Sequence, residues 1–335
     1  MNNPKLSREK YDKARNFILT NGDEVSIARF RYHFENLDAQ SFMEVLAKYQ
    51  HPNGGFGGLG YEFEYTSPCL KCTEHAFEYI IGMREKPAAD HPVITKMMEY
   101  VLDQYIPEIG NWGEPFVPEI NDFPHCSWSN YRGSTPAPME NEEERILRYQ
   151  ANEKICHAAF VALYSEIVPQ DLYAEIIKYP TQHILRYWDE NSPEFSREIR
   201  DKSYPYDFEY ALWFVRCLKD REVASKLEAV LLQNPTAAWE LDFEKSSSDY
   251  THLPCDFGVT SPDSFLYPAV KDLVDKSLTV RINQQADDGH WPWGWSFGES
   301  EELQRMQRKC NVIRAIDMLV KLERFGRIET VVPQH

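Results

Sequence analysis

Apolar residues recur along the chain at three- and four-residue spacing, the period of helices with one buried face. In residues 38–49, DAQSFMEVLAKY, Phe42, Val45, Leu46 and Tyr49 share a face behind Asp38, a residue type suited to capping. Residues 69–83 repeat the pattern with Leu70, Ala76, Phe77, Ile80 and Ile81. Further helices are expected near 91–106, 141–166, 169–187, 207–219, 221–233, 264–284 and 300–325. The last opens on GESEE, whose acids suit the positive end of a helix dipole, and closes with Arg324 and Gly326. Strand signals are few and short, so the chain reads as all-α. No change of composition marks a linker, and residues 1–335 read as one domain.

The turns between helices echo one another. YQHPNGGF at 49–56 runs Gln-x3-Gly-x-Phe from Gln50 through Gly54 to Phe56. QADDGHW at 285–291 runs Gln-x3-Gly-x-Trp from Gln285 through Gly289 to Trp291. EIGNWG at 108–113 is a degenerate third copy without the Gln. Asn53-Gly54 and Asp288-Gly289 supply positive-φ turns. The Gln is expected to accept hydrogen bonds from amides opening the next helix, and the aromatic to pack between helix ends. A phosphate loop would need a preceding strand and usually a Lys, which this stretch lacks.

These segments resemble the QW repeat of squalene and oxidosqualene cyclases and the Gln-x3-Gly-x-Phe turn of protein prenyltransferase β subunits. The Gly-Gly-Phe-Gly run followed by Glu62 and Glu64 also looks like the opening of bacterial toroid proteins of unsettled activity. The resemblance implies a single α/α toroid, paired helices in concentric rings around a central cavity. It leaves the reaction open. Those cyclases protonate an alkene through Asp-x-Asp-Asp, and the nearest match here, QADD, has Gln285 in the first acid position. The prenyltransferase zinc site needs Asp-x-Cys, whereas Cys255 and Asp256 are adjacent and reversed.

A net charge of −17 argues against a general basic surface for nucleic acid or anionic membrane. No apolar run reaches the roughly 20 residues of a membrane span, and the first residues lack a signal core, so a cytoplasmic protein is expected. Seven scattered cysteines suit reduced thiols. Cys69, Cys72 and His75 lack a second ligand pair at structural-zinc spacing, so neither metal nor other cofactor is expected.

Candidate chemistry gathers in the long, aromatic, proline-rich connections at 107–138 and 246–263 and around the glycine turns. Glu62 and Glu64 alternate in an extended segment, so both face one side, where two close carboxylates would push their pKa values apart. Asp122, His125, Trp128, Tyr131 and Arg132 fall within eleven residues and suit a cavity rim. Tyr206 and Asp207 sit near a helix start, where capping is the ordinary role of the acid. Asp256 and the alternating Trp293 and Trp295 complete a ligand-binding set, with Glu62, Glu64 and Asp122 as catalytic acids. An acidic, aromatic-lined cavity for a small molecule points to acid-initiated, isoprenoid cyclase-like chemistry. The alternatives are a carbohydrate-active enzyme using paired carboxylates and a non-catalytic binding or scaffold toroid. Oligomeric state is not legible.

Overall fold

A computed structural model describes residues 3–131, 151–192, 205–236, 238–245 and 252–329. The described residues form eleven α-helices and one two-stranded antiparallel sheet, so the protein is mostly helical. The chain divides into two compact units, 1–38 with 235–335, and 39–234.

The 39–234 unit holds α3 (Ala39–Ala47), α4 (Leu70–Gly82), α5 (Pro92–Asp103), α6 (Ala151–Leu163), α7 (Gln170–Tyr187), α8 (Pro205–Cys217) and α9 (Arg221–Leu231). Strands β1 (Tyr105–Ile106) and β2 (Asn111–Trp112) pair Tyr105 with Trp112. α6 packs against α4, α7 and α8. Phe77 and Phe160 meet edge to face at 5.3 Å across the α4–α6 contact. α4 opens on Cys69, whose sulfur accepts from the Cys72 amide in place of the usual oxygen cap.

In the other unit, α1 (Arg8–Asn21) and α2 (Glu24–Phe34) pack on α11 (Glu301–Arg324), and α10 (Tyr267–Asn283) lies in the same unit. Leu6 bridges Ile328 within this unit. The sequence pattern places no helix over 8–34, because its apolar positions are sparse among charges. Ser7 and Asp23 cap both helices, accepting from the amides of Lys10 and Ser26. Elsewhere the expected helices appear within a few residues of their predicted bounds; positions 141–150 lie outside the described residues.

The two glycine turns superimpose in their bonding. The His51 amide donates to Gly55 as the Ala286 amide does to His290, and Gly54 donates to His51 as Gly289 does to Ala286. Gly54 and Gly289 have φ of +88° and +101°. Phe56 and Trp291 are buried. The glutamines act as donors, contrary to the expectation that they accept. Nε2 of Gln50 donates to the carbonyls of Gly54 (3.0 Å) and Val93 (2.9 Å), and that of Gln285 to Gly289 (3.0 Å) and Lys10 (2.9 Å). Val93 and Lys10 both lie in the first turn of a helix, where a carbonyl keeps a second lone pair free beside its ladder bond. The degenerate copy shares part of this: Gly110 has φ +62°, and Trp112 donates to Val101 at 2.7 Å as Trp291 does to Arg281.

No helix among the described residues is long and apolar enough to cross a membrane.

Candidate functional site

The stretch after the first glycine turn runs extended and pairs with the long connection. Phe63 bridges His125, the Glu64 amide donates to Pro124 (2.9 Å) and the Cys126 amide to Glu62 (2.7 Å). This pairing carries Ser129 and Trp128 to the Glu62 side chain. The Ser129 hydroxyl donates to Oε2 of Glu62 at 2.9 Å, and the Trp128 side chain also supports its charge. Burial dominates nonetheless and raises the Glu62 pKa above the ordinary 4.5, with Ser129, Lys71 and Trp128 only partly offsetting it. Glu62, half-buried by solvent exposure, is thus biased toward the protonated form, with the Trp128 side chain beside it.

A second carboxylate behaves oppositely. Glu74 of α4 is fully buried, yet its pKa lies below the ordinary value. Burial pushes it up, and Lys71, then His157 and His75, outweigh that. Lys71 Nζ is 2.6 Å from Oε1, and the Tyr210 hydroxyl donates to the same oxygen at 2.8 Å and to Glu78 at 3.4 Å. Oε2 of Glu74 has no partner among the described residues. α4 therefore presents Lys71, Glu74, His75 and Glu78 at three- and four-residue spacing, with His157 supplied by α6 and Tyr210 by α8. His75 stacks on Tyr61 with ring centroids 4.7 Å apart. Lys71 acts on both glutamates, directly on Glu74 and at longer range on Glu62.

Glu74, Glu78, Lys71 and Tyr210 were not read as site residues from the sequence. Their signal was present in KCTEHAFE, where charges fall at helical spacing on an otherwise apolar helix, but solvent-facing charges show the same spacing.

The other expected residues distribute unevenly. Glu64 is half-buried, in the strand-like pairing beside Glu62. Asp122 is exposed at the end of a 3-10 turn. The Nδ1 atom of His125 lies 2.7 Å from the Phe123 carbonyl of its own loop, and the Tyr131 amide donates to Asn121. Arg132 and the side chains of Tyr206 and Asp207 lie outside the described residues.

Asp256, Trp293 and Trp295 belong to the other unit. Asp256 is held by Arg281 at both oxygens, with Nε 2.9 Å from Oδ1 and Nη2 on Oδ2, and by the Leu253 amide. Burial acts upward on its pKa, and Arg281 outweighs it, bringing it to about 2. It is an ion-paired structural acid rather than a free ligand contact. Burial lowers the neighbouring His252 to about 4, so it is neutral near pH 7. Trp291 is buried, whereas Trp293 and Trp295 are half-buried with ring centroids 4.7 Å apart.

No protein-family model, no curated protein and no solved structure matches the chain.

Proposed function

We propose that this protein is an acid-catalysing enzyme of the α/α-toroid class, in which Glu62 is the proton donor to an unsaturated, isoprenoid-type substrate. The observation that carries the reading is the pair of opposite glutamates: Glu62 raised by burial with Trp128 beside it, Glu74 held charged by Lys71. In the reaction the Glu62 O–H proton adds to an alkene carbon and leaves a carbocation on its neighbour. The face of Trp128 and the Glu74 carboxylate stabilise that charge. Loss of a proton or capture of water ends the sequence, and Glu62 is reprotonated.

The toroid part of the proposal rests on the repeats. Each glutamine clamps the second helix on from its own turn: Gln50 precedes α4 and holds α5, and Gln285 precedes α11 and holds α1. The second case keeps that offset only if α1 follows α11 around a closed ring. The pairing of Leu6 with Ile328 supports the same closure.

The acid and anion pair also favours a second reading, cleavage of a glycosidic bond with Glu62 as acid and Glu74 as base or nucleophile. Incubation in D2O with acyclic isoprenoid alkenes, followed by mass spectrometry, separates the two. Cyclised or hydrated products carrying one deuterium, lost in Glu62→Gln, support the cyclase-like reaction. Reducing sugar released from a glycan panel and lost in the same variant supports the second reading. Turnover of either substrate that survives Glu62→Gln removes Glu62 as the acid.

A further inference from the structure

The Glu74 side chain on α4 is wholly withdrawn from solvent, and both donors that reach its carboxylate meet the same oxygen. Lys71 Nζ lies 2.6 Å from Oε1, and the Tyr210 hydroxyl donates to Oε1 at 2.8 Å. Oε2 is buried and accepts from nothing among the described residues. Each carboxylate oxygen has lone pairs for two hydrogen bonds, and a buried charged acceptor left unmet is costly. The carboxylate is therefore engaged on one side and open to a donor on the other.

The cluster reaches the surface through its flanks. Lys71 and Glu78, about one turn to either side of Glu74 on α4, both keep part of their surface in solvent. Trp213 of α8, half-buried, lies against Tyr210 with ring centroids 5.1 Å apart and against Phe77 at 6.2 Å. An apolar wall thus stands beside the polar one. The donor that suits Oε2 is neutral. Lys71 already brings a full positive charge to this carboxylate, and an ammonium set beside it would be repelled.

We propose that Oε2 of Glu74 binds a hydroxyl group of the substrate, which makes that substrate an isoprenoid alcohol rather than a bare hydrocarbon or an amine. The inference rests on the isoprenoid reading above and adds the polar end of the molecule. A hydrocarbon would leave Oε2 unmet in the loaded site, whereas an O–H donor completes it while the chain lies on the Trp213 ring. Glu74 positions the ligand and transfers no proton; Glu62 remains the acid.

Titration of the full chain with farnesol, its methyl ether and farnesylamine, followed by tryptophan fluorescence and thermal unfolding, tests it. The alcohol is expected to bind about tenfold or more tightly than the ether, which cannot donate to the charged acceptor, and more tightly than the amine. In Glu74→Gln the amide oxygen stays on Lys71 and Tyr210 and an N–H2 group faces the ligand, so the preference over the ether should vanish. Glu62→Gln should keep that preference, which assigns the contact to Glu74. The wild-type comparison decides by itself if Glu74→Gln fails to fold. Equal binding of alcohol and ether, tighter binding of the amine, or a preference that survives Glu74→Gln or is lost in Glu62→Gln overturns the hydroxyl contact and leaves the isoprenoid reading standing. Binding of none of the three overturns both. Turnover that survives Glu62→Gln with the alcohol preference intact removes the acid role of Glu62 and supports the contact.

Discussion

Arg281 meets Asp256 at two points in the interior, Nε on Oδ1 at 2.9 Å and Nη2 on Oδ2, with both side chains almost wholly withdrawn from solvent. The pair ties α10 to the loop that precedes it, and two more cations look onto the same acid. Asp256→Asn therefore removes the carboxylate that Arg281 grips at both oxygens and deprives a buried guanidinium of that counter-charge. An unfolding cost of about 3–5 kcal/mol is expected, measured by chemical denaturation. A cost under 1 kcal/mol would show that the cluster is solvated or already neutralised.

Acid should weaken the same unit in two steps. His252 has a folded pKa of about 4 against an ordinary 6.5, so its contribution is complete above 6.5 and is lost as pH falls toward 4. Asp256, at about 2 against 3.8, contributes fully above its ordinary value and is lost as pH falls further toward 2. Unfolding free energy measured across this range should fall in the upper window for wild type and stay flatter there for His252→Gln. An unchanged slope in the variant would place the titration elsewhere.

Glu62 carries the opposite sign. Its raised pKa means that burial costs stability once pH climbs through the folded value, whereas below 4.5 the carboxyl is protonated in both states. Glu62→Gln should therefore unfold at the same or a higher temperature than wild type at pH 8, with the advantage shrinking toward pH 4. A variant that is markedly less stable at pH 8 would mean that Glu62 is held as an anion.

Glycine is required at the turns for space as well as conformation. A Cβ on Gly289 would lie 2.3 Å from the Lys13 carbonyl carbon, and one on Gly54 would lie 1.9 Å from the Lys96 oxygen. Gly326 has φ +62° with open space around it. Gly289→Ala should cost about 3 kcal/mol or more, and Gly326→Ala about 1 kcal/mol, the backbone contribution alone. Equal losses at the two sites would remove the close helix approach as the reason for the motif.

The donor role of the repeat glutamine is tested by a near-isosteric change. Gln285→Glu places carboxylate oxygen against the Lys10 and Gly289 carbonyls in place of an N–H2 group. A loss of about 2–4 kcal/mol is expected, at least as large as for Gln285→Ala. Full stability in the Glu variant at neutral pH would reverse the assignment of donor and acceptor.

Much of the helical framework was determined locally. Three- and four-residue apolar spacing located α3 through α11, because each must bury one stripe and the period is set by backbone geometry alone. Gly54 and Gly289 were legible as positive-φ turns, and the equivalence of their corners followed from the repeat itself. The acid pair at 62 and 64 was visible, but not which member the loop engages, since that depends on Ser129 arriving from 67 positions away. Lys71, Glu74 and Tyr210 looked like surface charges and a helix aromatic until α4, α6 and α8 were packed together. Asp256 became a structural acid only once Arg281 reached it across 25 residues, and the helices at 8–34 needed α11 to bury their sparse apolar face. Period and turn chemistry act between neighbours in sequence, whereas charge and desolvation act through space. The chain order therefore specified the elements, and their packing decided which acids are protonated, paired or solvated.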